Sequence, residues 1–167
     1  MELVLLRHGI AVDLNELQTA PRRDEDRPLT KDGRRKVRKA AKGLLALDVK
    51  PEVVVHSGLL RAKQTATRVA RRLKPQRRKL LVTNALEPHA DPHRFLAWLK
   101  QQRVKSMVVV GHAPNLDRVV ALACGTPGRM LTQLGKAGAI ALEVQKSPRP
   151  HARVLWLLPP AALRKLG

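Results

Sequence analysis

The stretch Leu3-Val4-Leu5-Leu6-Arg7-His8-Gly9 decides how this chain is read. An unbroken apolar run of this length makes a short strand buried on both faces, as in the centre of a parallel sheet. An arginine and a histidine follow at its carboxyl end, where an unanswered buried charge is costly. In open α/β sheets the carboxyl ends of the strands line the ligand crevice. Gly9 is expected to let the backbone turn sharply and a ligand come close.

Outward from that strand, short Val- and Leu-rich runs alternate with longer basic stretches of helical character. Residues 53–56 read as a second strand, set up by Pro51 and stopped by Ser57-Gly58. Residues 80–82 are a weaker third, and 106–110 a fourth that Gly111 ends. Residues 139–144 and 153–157 flank Ser147-Pro148-Arg149-Pro150, which predicts a closing antiparallel hairpin. Thr30 is placed to cap a helix through 34–47, with Val37, Ala40, Ala41, Leu44 and Leu45 at helical spacing. Further helices are expected over 60–73 (stopped by Pro75), over 92–102 (capped by Asp91) and after Pro114 through 116–122. Such alternation predicts an α/β three-layer sandwich, its mostly parallel central sheet covered by helices on both faces.

The length of 167 residues fits one domain, 1–167, and 44% hydrophobic residues suffice for a packed core. Charge is less ordinary: 33 Lys and Arg against 13 Asp and Glu give a formal +20. Such a surface attracts polyanions, and the cations gather on the helices expected over 34–47 and 60–73 and in Arg77-Arg78-Lys79. They are either solvated helix faces or a polyanion-binding surface. Aromatics make up 2% and Tyr is absent, which argues against stacking on single-stranded bases but leaves duplex backbone binding open. Cys124 is the only cysteine and lies in an apolar run, so an inert thiol and a reducing, cytoplasmic location are expected. The apolar start is too short for a signal peptide, and no segment reaches the ~20 apolar residues that span a bilayer.

The ends of the other strands sharpen the chemistry. The second runs into Ser57-Gly-Leu-Leu-Arg61 and the fourth into Gly111-His112, so a parallel sheet brings Arg7, His8, Arg61 and His112 to one rim. Two guanidiniums and two imidazoles repel one another unless a dianion sits among them, and phosphate matches the arginine forks. With no Walker-type loop and no carboxylate cage, Arg7, Arg61 and a protonated His112 are expected to neutralise charge without a metal or cofactor. A neutral His8 imidazole can then attack phosphorus and form a phosphohistidine that water hydrolyses.

Arg7-His8-Gly9 after an apolar strand resembles the RHG signature of the histidine phosphatase superfamily. Pro28-Leu29-Thr30-x-x-Gly33, Ser57-x-x-x-Arg61-Ala62-x-Gln64-Thr65 and Gly111-His112-x-Pro114-x-Leu116 resemble its further motifs, in the same order. The length and the form of the His112 motif are most similar to the SixA-like phosphohistidine phosphatases. The resemblance implies a phosphoglycerate-mutase-like fold, His8 as nucleophile, a phosphate pocket of Arg7, Arg61 and His112, and a phosphorylated protein as substrate.

Glu87, after the third strand, lies where the superfamily often places its general acid, or is an exposed loop residue. A weak acid is tolerable for phosphohistidine, because imidazole, with a pKa of ~6.5, leaves with little help. Ser57 is either a phosphate hydrogen-bond donor or a turn residue. His56 is either a core histidine or a pocket residue. His89 and His93 are separated by Asp91-Pro92, which argues against a shared metal. Residues 15–27 form a lid or a surface loop. The expected function is phosphohistidine hydrolysis by a chain too short to supply much lid, with inorganic phosphate as product and a monomer or weak oligomer as the working form. The alternatives are a broad phosphatase for small phosphomonoesters, or a polyanion-binding protein with a vestigial pocket.

Overall fold

The computed structural model describes residues 1–13, 23–77, 80–146 and 150–167. Six strands form one sheet: β1 (Glu2–Arg7), β2 (Val53–His56), β3 (Leu81–Val82), β4 (Ser106–Gly111), β5 (Ala139–Gln145) and β6 (His151–Leu158), in the order β3-β2-β4-β1-β5-β6. The pairs β1–β4, β2–β4 and β2–β3 are parallel, while β5 runs antiparallel to both β1 and β6. Register places the chemistry. Arg7 lies opposite Gly111 and His56 opposite Val110, so residues 7–8, 57 and 112 leave the sheet side by side.

Alternate residues of each strand feed two cores. Leu3, Leu5, Val55, Met107 and Val109 pack under α3 (Pro92–Gln101) and α4 (Asn115–Ala123). Val4, Leu6, Val54, Val108 and Val110 pack under α1 (Lys31–Ala46), α2 (Leu60–Leu73) and α5 (Pro160–Lys165). This is the three-layer α/β arrangement expected from continuous apolar strands and amphipathic helices.

Thr30 caps α1 by accepting from the Gly33 amide at 2.8 Å, so the helix starts at Lys31 rather than at 34. Asp91 caps α3 in the same way, accepting from the His93 amide. The helix α5 has no counterpart in the sequence reading, because six residues are too few to show a period. The β5–β6 hairpin forms as expected, although residues 147–149 of its connection lie outside the described residues.

Gly9 departs from expectation. It has no positive φ, so no left-handed turn requires glycine there. A Cβ there would sit 2.4 Å from Val37 Cγ2, so glycine is required because α1 packs directly on the end of β1. Gly33 answers it from the helix side, where a Cβ would meet the Ile10 carbonyl oxygen at 2.1 Å. Both glycines of these motifs press the first turn of α1 against the loop that carries His8.

Candidate active site

His8 leaves β1 almost fully buried. Its Nδ1 lies 2.6 Å from the Gly9 carbonyl oxygen. A carbonyl only accepts, so Nδ1 carries the proton and Nε2 keeps its lone pair. Burial is the main cause holding the imidazole low, at about 4; the Gly9 hydrogen bond opposes this, and the charges of Arg61, Arg7 and Lys136 add to it. At neutral pH the side chain is therefore an uncharged imidazole in the tautomer a nucleophile needs.

The His112 ring lies beside it, 4.8 Å between centroids and tilted by 49°. Its Nε2 shares a 2.8 Å hydrogen bond with the Ser57 hydroxyl, and its buried Nδ1 has no partner among the described residues. Burial, then the neighbouring His8 and Arg61, push this imidazole down to about 2, against the pull of Asp24. The expected protonated His112 is thus corrected for the pocket taken alone. In this cationic cavity it is neutral, and only added negative charge would favour its protonated form.

Arg61, in the first turn of α2, is 4% exposed. Its Nη1 donates to the Asp24 carbonyl at 2.6 Å and its Nη2 to the Asp24 carboxylate at 2.8 Å. The four cationic or basic side chains do not depend on a dianion alone, as the sequence suggested, since the chain brings its own carboxylate to Arg61. Asp24 opens a 3₁₀ turn, Asp24–Asp26, which shows that the described part of the 15–27 segment lies against the pocket. Residues 15–22 lie outside the described residues. Sequence reasoning missed Asp24, and its only signal was the acidic triplet Asp24-Glu25-Asp26 in so basic a chain.

Arg7 donates from Nη1 to the Leu134 carbonyl at 2.7 Å, and its buried Nε has no partner among the described residues. Burial lowers its pKa from the usual arginine value, and the charge of Asp117 opposes that. Asp117 accepts from Thr132 Oγ1 at 2.8 Å and from the Leu134 amide at 2.9 Å, fixing the loop that holds Arg7.

The remaining motif residues are clamps. Thr65 Oγ1 donates to the Arg61 carbonyl and accepts from the Gly9 amide, tying the nucleophile loop to α2. Gln64 accepts from the Leu29 amide at 2.8 Å. Asn115 donates to the Ala85 and Glu87 carbonyls at 2.9 and 2.8 Å, fixing the Glu87 segment to the start of α4. Glu87 and Ser57 line one cavity of about 360 Å³ with Glu25, Asp26 and Lys63. No hydrogen bond among the described residues joins the Glu87 carboxylate to either pocket histidine.

His56 is buried and its Nδ1 accepts from the Gly58 amide at 3.0 Å, as a satisfied core histidine does. His89 precedes the Asp91 cap, whereas His93 lies within α3. No group of three or more His, Cys, Asp or Glu with metal-binding proximity occurs among the described residues. Cys124 ends α4 partly buried, and burial raises its thiol pKa. No helix among the described residues is long and apolar enough to cross a membrane.

Comparison with known proteins shows the family and the fold. A sequence profile of the histidine phosphatase superfamily (branch 1) matches residues 3–86. An uncharacterized protein from Picosynechococcus sp. is 38% identical over 147 residues, 85% of this chain and 84% of that one. The solved structure of the protein histidine phosphatase SixA complexed with tungstate superposes with a TM-score of 0.84 at 27% identity, covering 98% of this chain and 99% of that one. A phosphoserine phosphatase from Entamoeba histolytica shares the fold at a TM-score of 0.70 and 15% identity, with 97% and 98% of the two chains covered.

Proposed function

The chain belongs to the histidine phosphatase superfamily, and from that premise we propose that this phosphatase hydrolyses phosphohistidine carried on a protein, with His8 as the nucleophile. The observation that carries the proposal is the His8 tautomer. The Nδ1 proton is committed to the Gly9 carbonyl, which leaves Nε2 as a neutral nucleophile beside two arginines.

In the proposed reaction Nε2 of His8 attacks phosphorus in line and the bond from phosphorus to the substrate imidazole breaks. The departing nitrogen takes its proton from water or from Glu87. Water then attacks the phosphorylated His8, the bond from Nε2 to phosphorus breaks, and inorganic phosphate leaves. Arg7 and Arg61 hold the equatorial oxygens throughout, with Arg61 exchanging Asp24 for phosphate. Ser57 orients His112, which becomes a cationic donor as the dianion enters. These two guanidiniums and His112 take the electrostatic role that a metal plays elsewhere, so the reaction is proposed to need none. The similarity to the protein histidine phosphatase SixA over nearly the whole chain supports a protein substrate. A low demand for acid catalysis supports an imidazole leaving group. We further propose that the chain acts as one domain, a cytoplasmic monomer or weak oligomer.

The test is phosphate release from a phosphohistidine protein, with and without EDTA, beside a phosphoserine peptide. Release that resists EDTA, exceeds that from phosphoserine and falls by ~10³-fold or more in His8→Ala is the expected result. Equal turnover of phosphoserine, lost in Glu87→Gln, would replace this reading with that of a broad phosphomonoester phosphatase.

A further inference from the structure

A second cationic feature lies away from the pocket, on the solvent side of the paired helices α1 and α2. A groove of about 300 Å³ is lined by Arg38, Lys42, Arg68, Arg71 and Arg72. On each helix the cations recur at a spacing of four residues, Arg34–Arg38–Lys42 on α1 and Arg68–Arg72 on α2. Residues spaced so share one helical face and advance about 6 Å per step. The two stripes face each other, since Arg68 feels Arg34, Arg38 and Arg71.

Like charges held this close destabilise the folded chain, and no carboxylate among the described residues neutralises them. Among the described residues no carboxylate pairs with Arg34, Arg38, Lys42, Arg68, Arg71 or Arg72. The acids of this region are used elsewhere: Asp32 binds Arg35 and Lys36, and Asp24 binds Arg27 and the catalytic-pocket Arg61. Burial, then those three neighbouring arginines, keeps the Arg68 guanidinium below its usual value. Two of the stripe residues are also braced, because Arg34 donates to the Leu29 carbonyl and Arg68 to the Gln64 carbonyl.

We propose that this α1–α2 groove is a binding site for the phosphate backbone of duplex nucleic acid. The lining decides between polyanions. A protein partner needs apolar or aromatic anchors and a charge-poor centre to its interface. This groove offers only cations, four of the five being arginine, whose forked donors suit phosphate oxygens. Duplex-binding surfaces are strongly positive, as this one is. Single strands are bound by stacking bases on aromatic side chains, and this chain has one Phe, two Trp and no Tyr. Arg68 and Arg72 lie seven and eleven residues beyond Arg61 on α2, about 10 and 16 Å along the axis, so the groove is separate from the phosphatase pocket.

The test is fluorescence anisotropy of a labelled 30-base-pair DNA of arbitrary sequence, titrated with the full chain between 50 and 300 mM KCl, an assay range of about sixfold in salt suited to counterion release. With five cations engaged, log K should fall against log salt with a slope of about −4 to −5, and the variant R38Q/R68Q/R72Q should be shallower by about three. Phosphate release equal to the parent's and a thermal midpoint no lower than the parent's, as expected once three mutually repelling charges are removed, show that the variant is folded. Four results would overturn the proposal: no binding at 50 mM KCl, the low-salt end where about tenfold or more is gained; an unchanged slope in the folded variant; tighter binding of a (dT) single strand; or displacement of the duplex by poly-glutamate of equal charge.

Discussion

At the scale of the residue, the pocket is governed by which groups are kept neutral. His8 and His112 sit at about 4 and about 2, below the 6.5 of an unfolded histidine. The unfolded chain therefore binds more protons than the native one as pH falls below 6.5, so stability is full above that value and declines below it. Between pH 7.5 and 5.5 the unfolding free energy from urea melts should fall by roughly 1 kcal/mol for each histidine, and the midpoint with it. A His8→Asn/His112→Asn double variant should flatten that decline, and a midpoint constant across this window in the parent would contradict the neutral pair. Asp24 is the second residue to test. Its half-exposed carboxylate competes with phosphate for Arg61. Asp24→Asn should lower the inhibition constant for inorganic phosphate by about 2- to 5-fold, in keeping with a partly exposed ion pair. Weaker inhibition would mean that Asp24 instead holds Arg61 in its working position.

At the scale of the element, the site depends on how closely α1 approaches the loop after β1. The cap at Thr30 fixes where the helix begins, and Gly33 lets its first turn lie on the Ile10 carbonyl. Gly33→Ala places a methyl group against backbone rather than against a side chain that can rotate away. The variant should lose about 1–3 kcal/mol in denaturant melts, with a larger fractional loss of kcat than of stability at the working temperature. An Ala variant as stable and active as the parent would show that α1 can shift without moving His8. The strand ends were legible in sequence because β1, β2 and β4 are continuous apolar runs with an abrupt polar stop. The short β3 and the six-residue α5 were weak or silent, since neither is long enough to carry a period.

At the scale of the whole molecule, a formal +20 on 167 residues means self-repulsion that ordinary salt screens. Raising KCl from 20 to 300 mM should lift the thermal midpoint by about 3 °C, and a flat or falling midpoint would mean that the cations are already balanced within the fold. The sequence by itself determined the layered α/β fold and the meeting of Arg7, His8, Arg61 and His112. Strand periodicity sets which residues are buried, and parallel strands carry the residues at their carboxyl ends to one edge. It also held the motif glycines, though for close packing between α1 and β1 and not for a turn. Only the tertiary structure decided that Asp24 answers Arg61, that Asn115 secures the Glu87 segment, that Asp117 steadies the loop behind Arg7, and that burial holds the His112 pKa low in the pocket taken alone. The reason is common to all four. Each depends on groups 17 or more residues apart meeting at hydrogen-bond distance, or on how far water is excluded where they meet, and no local pattern encodes either.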